Sequence, residues 1–273
     1  MGGRLIISGG GGLRVLEQGN PAFGHIHLPG ASAMCACGEE LFVSSGCGDM
    51  IWRMDRNLMP AALFAGGPGM RQLMVSGDGR QLLALCTDGN SVLMLDGRSG
   101  APQMLVRAGD RPHAMTMRNN TLAVAGGGEG LLLFDAGSLA LLSCLRAPWP
   151  VVSAALTERY ACVLCCDDAL NSVLICYERG AERGRMPLPG EPGALLAVGG
   201  MLLVCIRGWL YLVSPERMQK TARRRAPGLG TRLLCAGGSL LMLDALGETA
   251  FAHVEGSWKR LAHPAEDLCI RRE

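Results

Sequence analysis

One strand–turn–strand pattern recurs along this chain at a nearly constant interval, and this repeat limits the possible folds more than any other feature. Each copy has two apolar runs rich in Leu, Val and Ile, separated by a short turn that contains Gly, Asp or Asn. The seven copies begin near Leu5, Leu41, Leu82, Leu122, Cys162, Leu202 and Leu240. Because a repeat of fixed period builds a fold from equal units, the repeat is the first guide to the architecture.

Each copy is flanked by two further apolar or mixed segments, so one unit contains four strands. A shorter segment precedes each hairpin, such as Met70–Ser76 before the third copy and Arg111–Met117 before the fourth, and a more polar segment follows it. The continuous apolar runs predict strands that are buried on both faces. Four strands per roughly 40 residues is the blade period of a β-propeller. The sequence therefore predicts an all-β protein, a seven-bladed β-propeller of four-stranded antiparallel blades, as a single domain over residues 1–273.

The two ends of the chain complement each other. The hairpin near Leu5 has no strand before it, and the last segment, residues 267–272, has no hairpin after it. We therefore expect the C-terminal strand to pair with the N-terminal hairpin and to close the ring, which removes a free sheet edge. The copy at residues 240–254 is the least regular, so a six-bladed ring remains an alternative.

The segment Ser76–Gly100, with the sequence SGDGRQLLALCTDGNSVLMLDGRSG, resembles the YVTN-type β-propeller repeat, which is WD-repeat-like. The segment RAGDRPHAMTM, residues 107–117, is similar to the lead-in of that family to the next blade. The tetrad itself is missing, and the family's Thr after the Asp is replaced by Arg56, Gly97 or Ala136. The resemblance implies the propeller fold and fits a bacterial protein. It implies little about function, because propellers host both binding modules and enzymes.

Composition argues against several classes of partner and cofactor. The chain has 26 Lys and Arg against 24 Asp and Glu, so its charge gives no reason to expect nucleic acid or a membrane as partner. No segment has the pattern of a secretory signal, and we expect a cytoplasmic protein. Most of the 12 Cys lie inside apolar runs, where reduced structural thiols are expected. The close pairs Cys35/Cys37 and Cys165/Cys166 lack the spacing of zinc sites, so no metal and no cofactor are predicted.

The hairpin turns and the links between blades converge at one end of a propeller, and candidate binding residues were sought there. The polar and aromatic residues with this placement that we expect to contact a ligand or partner are Asp88, Arg111, His113, Trp149, Asp168 and His263. Trp and Arg are the residue types that dominate binding hot spots. His113 can act as a hydrogen-bond donor or a general base. Asp is also common in tight turns for backbone reasons, so turn chemistry is the alternative explanation for Asp88 and Asp168.

Together these features favour a non-catalytic binding or scaffold module whose partner is a protein, a peptide or a small ligand, with a protein or peptide first. A lactonase-like hydrolase on the same scaffold is the alternative, and a purely structural subunit is a third. The innermost strands, such as Leu73-Met74-Val75, are apolar, whereas a hydrolase needs polar side chains to hold a metal or activate water. The one basic cluster, Lys220–Arg225, is predicted to lie on an outermost strand as a solvated edge rather than an anion site.

Overall fold

Each repeat forms one antiparallel sheet, and the seven sheets, numbered here in chain order, are the blades of a seven-bladed β-propeller. The structure is a computed structural model. It describes residues 3–9, 12–17, 20–21, 26–45, 49–128, 130–236, 239–244, 246, 248–254, 257–262 and 264–272. Within these ranges the regular structure is all strand, and no helix has the length and apolar character needed to cross a bilayer. The chain divides into two compact units, Met1–Arg107 with Leu234–Glu273, and Ala108–Leu233.

The first unit contains sheets 1, 2, 3 and 7. Sheet 1 contains β1 (Gly3–Gly9), β2 (Gly12–Glu17), β3 (Asn20–Pro21), β4 (Ile26–His27) and the last strand of the chain, β29 (Asp267–Arg272). Sheet 2 contains β5 (Ala31–Cys37), β6 (Glu40–Ser45), β7 (Met50–Met54) and β8 (Pro60–Ala65). Sheet 3 contains β9 (Met70–Val75), β10 (Gln81–Cys86), β11 (Ser91–Asp96) and β12 (Pro102–Arg107). Sheet 7 contains β25 (Arg232–Ala236), β26 (Ser239–Asp244), β27 (Thr249–Val254) and β28 (Ser257–Ala262).

The second unit contains sheets 4, 5 and 6. Sheet 4 contains β13 (Ala114–Arg118), β14 (Thr121–Gly126), β15 (Gly130–Asp135) and β16 (Leu141–Leu145). Sheet 5 contains β17 (Val151–Leu156), β18 (Tyr160–Cys166), β19 (Ser172–Glu178) and β20 (Ala181–Leu188). Sheet 6 contains β21 (Pro192–Val198), β22 (Met201–Ile206), β23 (Trp209–Ser214) and β24 (Gln219–Arg225).

The predicted closure is confirmed, because β29 pairs antiparallel with β1 from Ser8 opposite Asp267 to Gly3 opposite Arg272. In sheet 1 the chain's last strand therefore takes the place that the first strand of the unit has in every other sheet. The fourth position is held by two short strands, β3 and β4, which both pair with β2. Seven sheets also exclude the six-bladed alternative.

The continuous apolar runs are the two middle strands of each sheet, and they are buried on both faces as predicted. In sheet 3, for example, Leu82–Cys86 and Ser91–Leu95 are all buried. The buried side chains of adjacent sheets in one unit form shared cores, such as the core of sheets 5 and 6 that includes Leu174, Met186 and Val204. Outer strands are mostly exposed, so the apolar stabilisation lies between the sheets and not at their outer edges.

Candidate functional site

The links and hairpins are joined at one end of each sheet, which we call the link–hairpin end. In four consecutive antiparallel strands, the link before the first strand and the turn between the second and third lie at the same end. Backbone hydrogen bonds from hairpin to link hold this arrangement. They are Thr87 N to Gly69 O (3.0 Å), Gly127 N to Asp110 O (2.6 Å), Cys166 N to Pro150 O (3.1 Å) and Arg207 N to Glu191 O (3.0 Å). The side chains at these ends are therefore carried on a backbone that is fixed to the sheets.

Arg111 and His113 lie on the link that leads into β13. Arg111 has a left-handed backbone with φ of 46°, and its side chain is exposed. His113 N donates to Ala125 O at 3.0 Å, and its Nδ1 donates to Arg111 O at 3.3 Å in the tautomer that carries that proton. The segment predicted as a strand from Arg111 thus becomes a strand only at Ala114. Its first three residues form irregular backbone with a bend at Arg111, whose side chain is exposed.

The described hydrogen bond of the His113 side chain is made within its own link. In the part of the chain that the structure describes, its side chain has a backbone carbonyl as hydrogen-bond partner and no carboxylate. A general base normally needs a second group that orients the ring and stabilises the charged form. The ring is half-buried and can still offer a donor or acceptor to a bound molecule.

Trp149 lies on the next link, before β17, and has both a structural and an exposed side. Its ring is half-buried against the core of sheets 4 and 5. The guanidinium carbon of Arg185, on β20, lies 6.0 Å from the ring centroid, and Arg185 is held by Glu182 through bonds of 2.5 and 2.8 Å. Tyr177 anchors the same link, since its hydroxyl donates to Arg146 O at 2.7 Å. Trp149 is therefore a pre-positioned aromatic side chain.

Asp88 and Asp168 are both exposed at hairpin tips. In each hairpin, the hydrogen bonds that close the turn are made by neighbouring residues. In sheet 5, Asp167 makes the turn by accepting hydrogen bonds from Ala169 N and Asn171 N at 3.0 and 2.7 Å. Asp168 beside it is exposed.

In sheet 3, the turn is closed by a hydrogen bond of 3.2 Å from Asn90 N to Thr87 O, with Asn90 at φ of 50°. Asp88 packs closely against the link, because a Cβ added to Gly69 would lie 2.5 Å from Asp88 Oδ2.

The predicted residues are thus only partly brought together. Arg111 and His113 share one link of sheet 4, and Trp149 and Asp168 lie at the link–hairpin end of sheet 5, all in the second unit. Asp88 lies in the first unit. His263 lies outside the described residues.

An ion pair at the link–hairpin end of sheet 6 was missed by sequence reasoning. Arg207, in the hairpin, binds Glu191, on the link, with Nε–Oε2 and Nη2–Oε2 distances of 2.7 and 2.6 Å. Both side chains are largely exposed, so the pair contributes about 0–1 kcal/mol and acts mainly by holding two charges in a fixed place. The sequence could have indicated this pair, because the repeat places Glu191 on the link and Arg207 in the hairpin, which lie at the same end of sheet 6.

Two carboxylates at the opposite end of the sheets are committed to turns. Asp96 Oδ1 accepts hydrogen bonds from Arg98 N, Ser99 N and Ser99 Oγ at 3.1, 2.7 and 2.7 Å. Asp135 Oδ1 makes the same set with Gly137 N, Ser138 N and Ser138 Oγ. These hydrogen bonds lower the pKa of each carboxyl. The largest cause is Ser99 for Asp96 and Ser138 for Asp135. The carboxylates of Asp96 and Asp135 are therefore turn-forming groups.

The buried thiols are poor nucleophiles and poor metal ligands. Burial raises the pKa of Cys86 to about 11 and that of Cys165 to about 12. The contact between Cys162 Sγ and Cys176 Sγ, 2.9 Å apart, raises the pKa of Cys162, and burial adds to it. Since the thiolate is the reactive form, these groups stay inert at neutral pH. Among the described residues there is no group of three or more His, Cys, Asp or Glu that could hold a metal ion.

No protein-family model matches this chain. No curated protein matches it. Solved structures do. BBS1N, crystallised in complex with ARL6DN, is 19% identical over 96% of this chain and 88% of that chain, with a TM-score of 0.72. BamB from Moraxella catarrhalis is 18% identical over 87% of this chain and 75% of that one, with a TM-score of 0.64.

The dihydro-heme d1 dehydrogenase NirN, in complex with DHE, is 17% identical over 95% of this chain and 64% of that one, with a TM-score of 0.71. At this identity the likeness shows the fold alone. One of these proteins is crystallised with a protein partner and another is named as an enzyme, so the fold does not determine the function.

Proposed function

We propose that this chain is a non-catalytic binding module that takes a protein partner at the link–hairpin end of sheets 4 and 5. The observation that carries the proposal is Trp149, a half-exposed ring that is fixed from below by the core and from the side by Arg185. A rigid aromatic ring is a typical anchor of a protein interface, because little side-chain entropy is lost when it binds.

The surroundings of Trp149 support the same function. Arg111 and His113 lie at the link–hairpin end of the neighbouring sheet and present a cation and a hydrogen-bonding ring on one short link. Arg, with Trp, is enriched at interface hot spots. BBS1N, a propeller of similar fold, is crystallised with a protein partner, which supports a protein as the first class to test.

Affinity capture with matched variants tests the proposal. The full chain is immobilised, and the proteins that it retains from an extract of its own organism are quantified by mass spectrometry. We expect Trp149→Ala and Arg111→Ala each to lower the amount of retained partner more than tenfold, as for interface hot spots. Thermal unfolding of each variant checks that it is folded.

Arg179→Ala is the control for Arg111→Ala. Arg179 is also exposed and also has a left-handed backbone, with φ of 51°, but it lies in the turn from β19 to β20, at the opposite end of sheet 5. The proposal requires this variant to retain the partner like the unaltered chain. Equal retention by Arg111→Ala, Trp149→Ala and Arg179→Ala would show that the partner binds elsewhere.

We also propose that the propeller is of the YVTN type. The support is the match of Ser76–Gly100 to that repeat and the Asp96 turn that ends its third strand. A sequence profile built from homologues of this chain should align its blades with the YVTN repeat in register. Alignment with a different propeller repeat would contradict the assignment.

A cytoplasmic location is a further proposal. Its support is the use of Cys as a core residue, since Cys86, Cys162, Cys165 and Cys176 are buried as thiols that form no disulfide. Reduced thiols persist in compartments that keep glutathione and thioredoxin reduced. Cell fractionation followed by immunodetection tests the proposal, and recovery of the chain outside the cytoplasmic fraction would refute it.

A further inference from the structure

The outermost strand of sheet 6, β24, carries an unusual concentration of positive charge. Residues 192–231 include six cations and one acid, a net charge of +5, although the whole chain carries only +2. Four of the six cations lie on β24: Lys220, Arg223, Arg224 and Arg225. By comparison, β20 carries two Arg and one Glu, β28 carries one Lys and one Arg, and β8 and β16 carry no charged residue. With a net charge of +4, β24 is therefore the most positively charged of the outer strands of sheets 2 to 7.

A β-bulge brings three of these cations to one face of the sheet. Arg225 lies opposite Trp209 and Arg223 opposite Tyr211, so these two cations share a face with the two rings. Lys220 and Arg223 are separated by an odd number of positions. In a regular strand their side chains would therefore lie on opposite faces of the sheet. The register shifts between Leu212 and Val213, and this shift places Lys220 opposite Val213, on the same face as Arg223.

Aromatic rings order this cationic face instead of leaving it freely solvated. The guanidinium carbons of Arg225 and Arg223 lie 4.0 and 4.9 Å from the Trp209 ring centroid. Lys220 Nζ lies 5.2 Å from the centroid of Tyr211, which is buried. Stacking on a ring holds a cation in place without cancelling its charge. No carboxylate of the described residues forms an ion pair with Lys220 or Arg223.

The strand also offers a backbone edge. In the order β21-β22-β23-β24 it is the last strand, and no described strand pairs with its outer side. All seven of its residues are exposed. Half of the backbone N–H and C=O groups of an edge strand point away from its neighbour and can pair with an added strand.

We propose that β24 binds an extended acidic peptide, which adds to sheet 6 as a fifth strand. Carboxylates at every second position of that peptide lie on one face of the enlarged sheet, opposite Lys220, Arg223 and Arg225. Opposite charges on directly paired strands stabilise pairing, and like charges oppose it. The same cations therefore repel a second copy of β24 and select an acidic strand. This site is distinct from the link–hairpin end.

Fluorescence anisotropy with defined peptides tests the proposal. The probe is a labelled peptide in which Glu alternates with Thr or Val, measured with the full chain at about 0.15 M salt. We expect binding that is roughly tenfold tighter than that of the same peptide with Gln in place of Glu. A third peptide keeps every Glu but has Pro at alternate positions, so it keeps the charge and cannot form a strand. We expect this peptide to bind no better than the Gln peptide.

Protein variants locate the site. The double variant Arg223→Glu/Arg225→Glu should weaken binding of the Glu peptide at least tenfold. The matched control, Lys259→Glu/Arg260→Glu on β28, has the same change in net charge and should bind normally. Arg223→Gln/Arg225→Gln is a milder variant that should give a smaller loss in the same direction, and circular dichroism checks the folding of each.

Three outcomes would overturn the proposal. One is the absence of binding by the Glu peptide. Another is equal binding by the Pro-containing peptide or by a single-stranded oligonucleotide of the same charge, which would make β24 a general polyanion surface. The third is an equal loss of binding in the β28 control variant.

Discussion

At the scale of single residues, the turns of this protein depend on a few positions where no side chain can be accommodated. Gly130, the first residue of β15, has φ of +88°, and a Cβ there would lie 2.2 Å from Leu145 O and 3.0 Å from Ala147 N. Both atoms belong to backbone, so the clash cannot be relieved by a side-chain rotation. Gly128, two residues earlier in the same turn, has open space around its Cβ direction.

We therefore predict that Gly130→Ala lowers the free energy of unfolding by more than about 1 kcal/mol, since the native backbone conformation is incompatible with a side chain there. Gly128→Ala, the matched control, should change the free energy by less than about 0.5 kcal/mol. Equilibrium unfolding in urea measures both. Equal effects of the two substitutions would mean that the hairpin of sheet 4 and the link from β16 to β17 can separate at little cost.

The carboxylates of Asp96 and Asp135 predict a pH dependence of stability. Their pKa values are lowered in the folded chain by hydrogen bonds from Ser99 and Ser138. A group with a lowered pKa stabilises the fold above its unfolded pKa, about 3.9 for Asp, and this contribution is lost as the pH falls through the lowered folded value.

The thermal unfolding midpoint should therefore fall as the pH drops below about 4. The double variant Asp96→Asn/Asp135→Asn should start from a lower midpoint at pH 7 and lose less of it on acidification. A parallel loss in both proteins would assign the acid sensitivity to other groups.

At the scale of the elements, the closing strand β29 is held by more than its pairing with β1. Asp267, which is buried, accepts a hydrogen bond of 2.7 Å from Met34 N on β5. Arg271, 2% exposed, donates to Glu39 O, Asp55 O and Arg56 O at 3.3, 3.3 and 2.9 Å. These carbonyls belong to the two turns at one end of sheet 2. One charged side chain at each end of β29 thus joins sheet 1 to sheet 2.

Replacing Arg271 should be costly because it removes a buried guanidinium group that donates hydrogen bonds to three carbonyl groups of sheet 2. We predict that Arg271→Met destabilises the chain by about 1–3 kcal/mol in urea unfolding. Arg80→Met is the control, since the Arg80 side chain is 85% exposed. A change below about 0.5 kcal/mol for Arg271→Met would mean that water replaces the lost donors.

The strands were predicted well where the cause is local. The period, the turn residues and the apolar runs gave the middle strands to within one or two residues, and the unpaired end segments predicted the β1–β29 pair. The outer strands contain register shifts that the sequence pattern does not predict. In each of sheets 2 to 7 the register of the outer strand shifts once. Such a bulge depends on twist and cross-strand packing, so the common face of Lys220 and Arg223 could not be read from their spacing.

At the scale of the whole chain, burial separates the cysteines by their expected reactivity. Of the eleven described thiols, seven are buried, Cys37 and Cys166 are half-buried, and Cys144 and Cys235 are exposed. We predict that iodoacetamide modifies Cys144 in the folded protein within minutes, while Cys86 and Cys165, with their raised pKa values, remain unmodified until denaturant is added. Peptide mass spectrometry measures the modification of each. Rapid labelling of Cys86 would reveal frequent opening of sheet 3.

The candidate site was predicted less completely than the fold, for a physical reason. The phase of the repeat placed Arg111, Trp149 and Asp168 at link–hairpin ends, where the structure has them. The partners of such residues come from other parts of the chain. Arg185 beside Trp149 and Glu191 beside Arg207 are set by strand pairing and packing between sheets, and a single sequence does not show which side chains these will bring together.

The pairing of β1 with β29 has a consequence for synthesis. On a ribosome, the hairpin β1–β2 emerges before its partner strand β29, which follows only after six other hairpins have been made. During that interval the edge of β1 is open to other strands, including those of a neighbouring nascent chain. The slowest contact to form is also the one that completes sheet 1, because its residues are far apart in sequence. A circular permutant that links Arg272 to Gly3 and opens between two other sheets would shorten this exposure for β1 and shift it to the strand at the new opening.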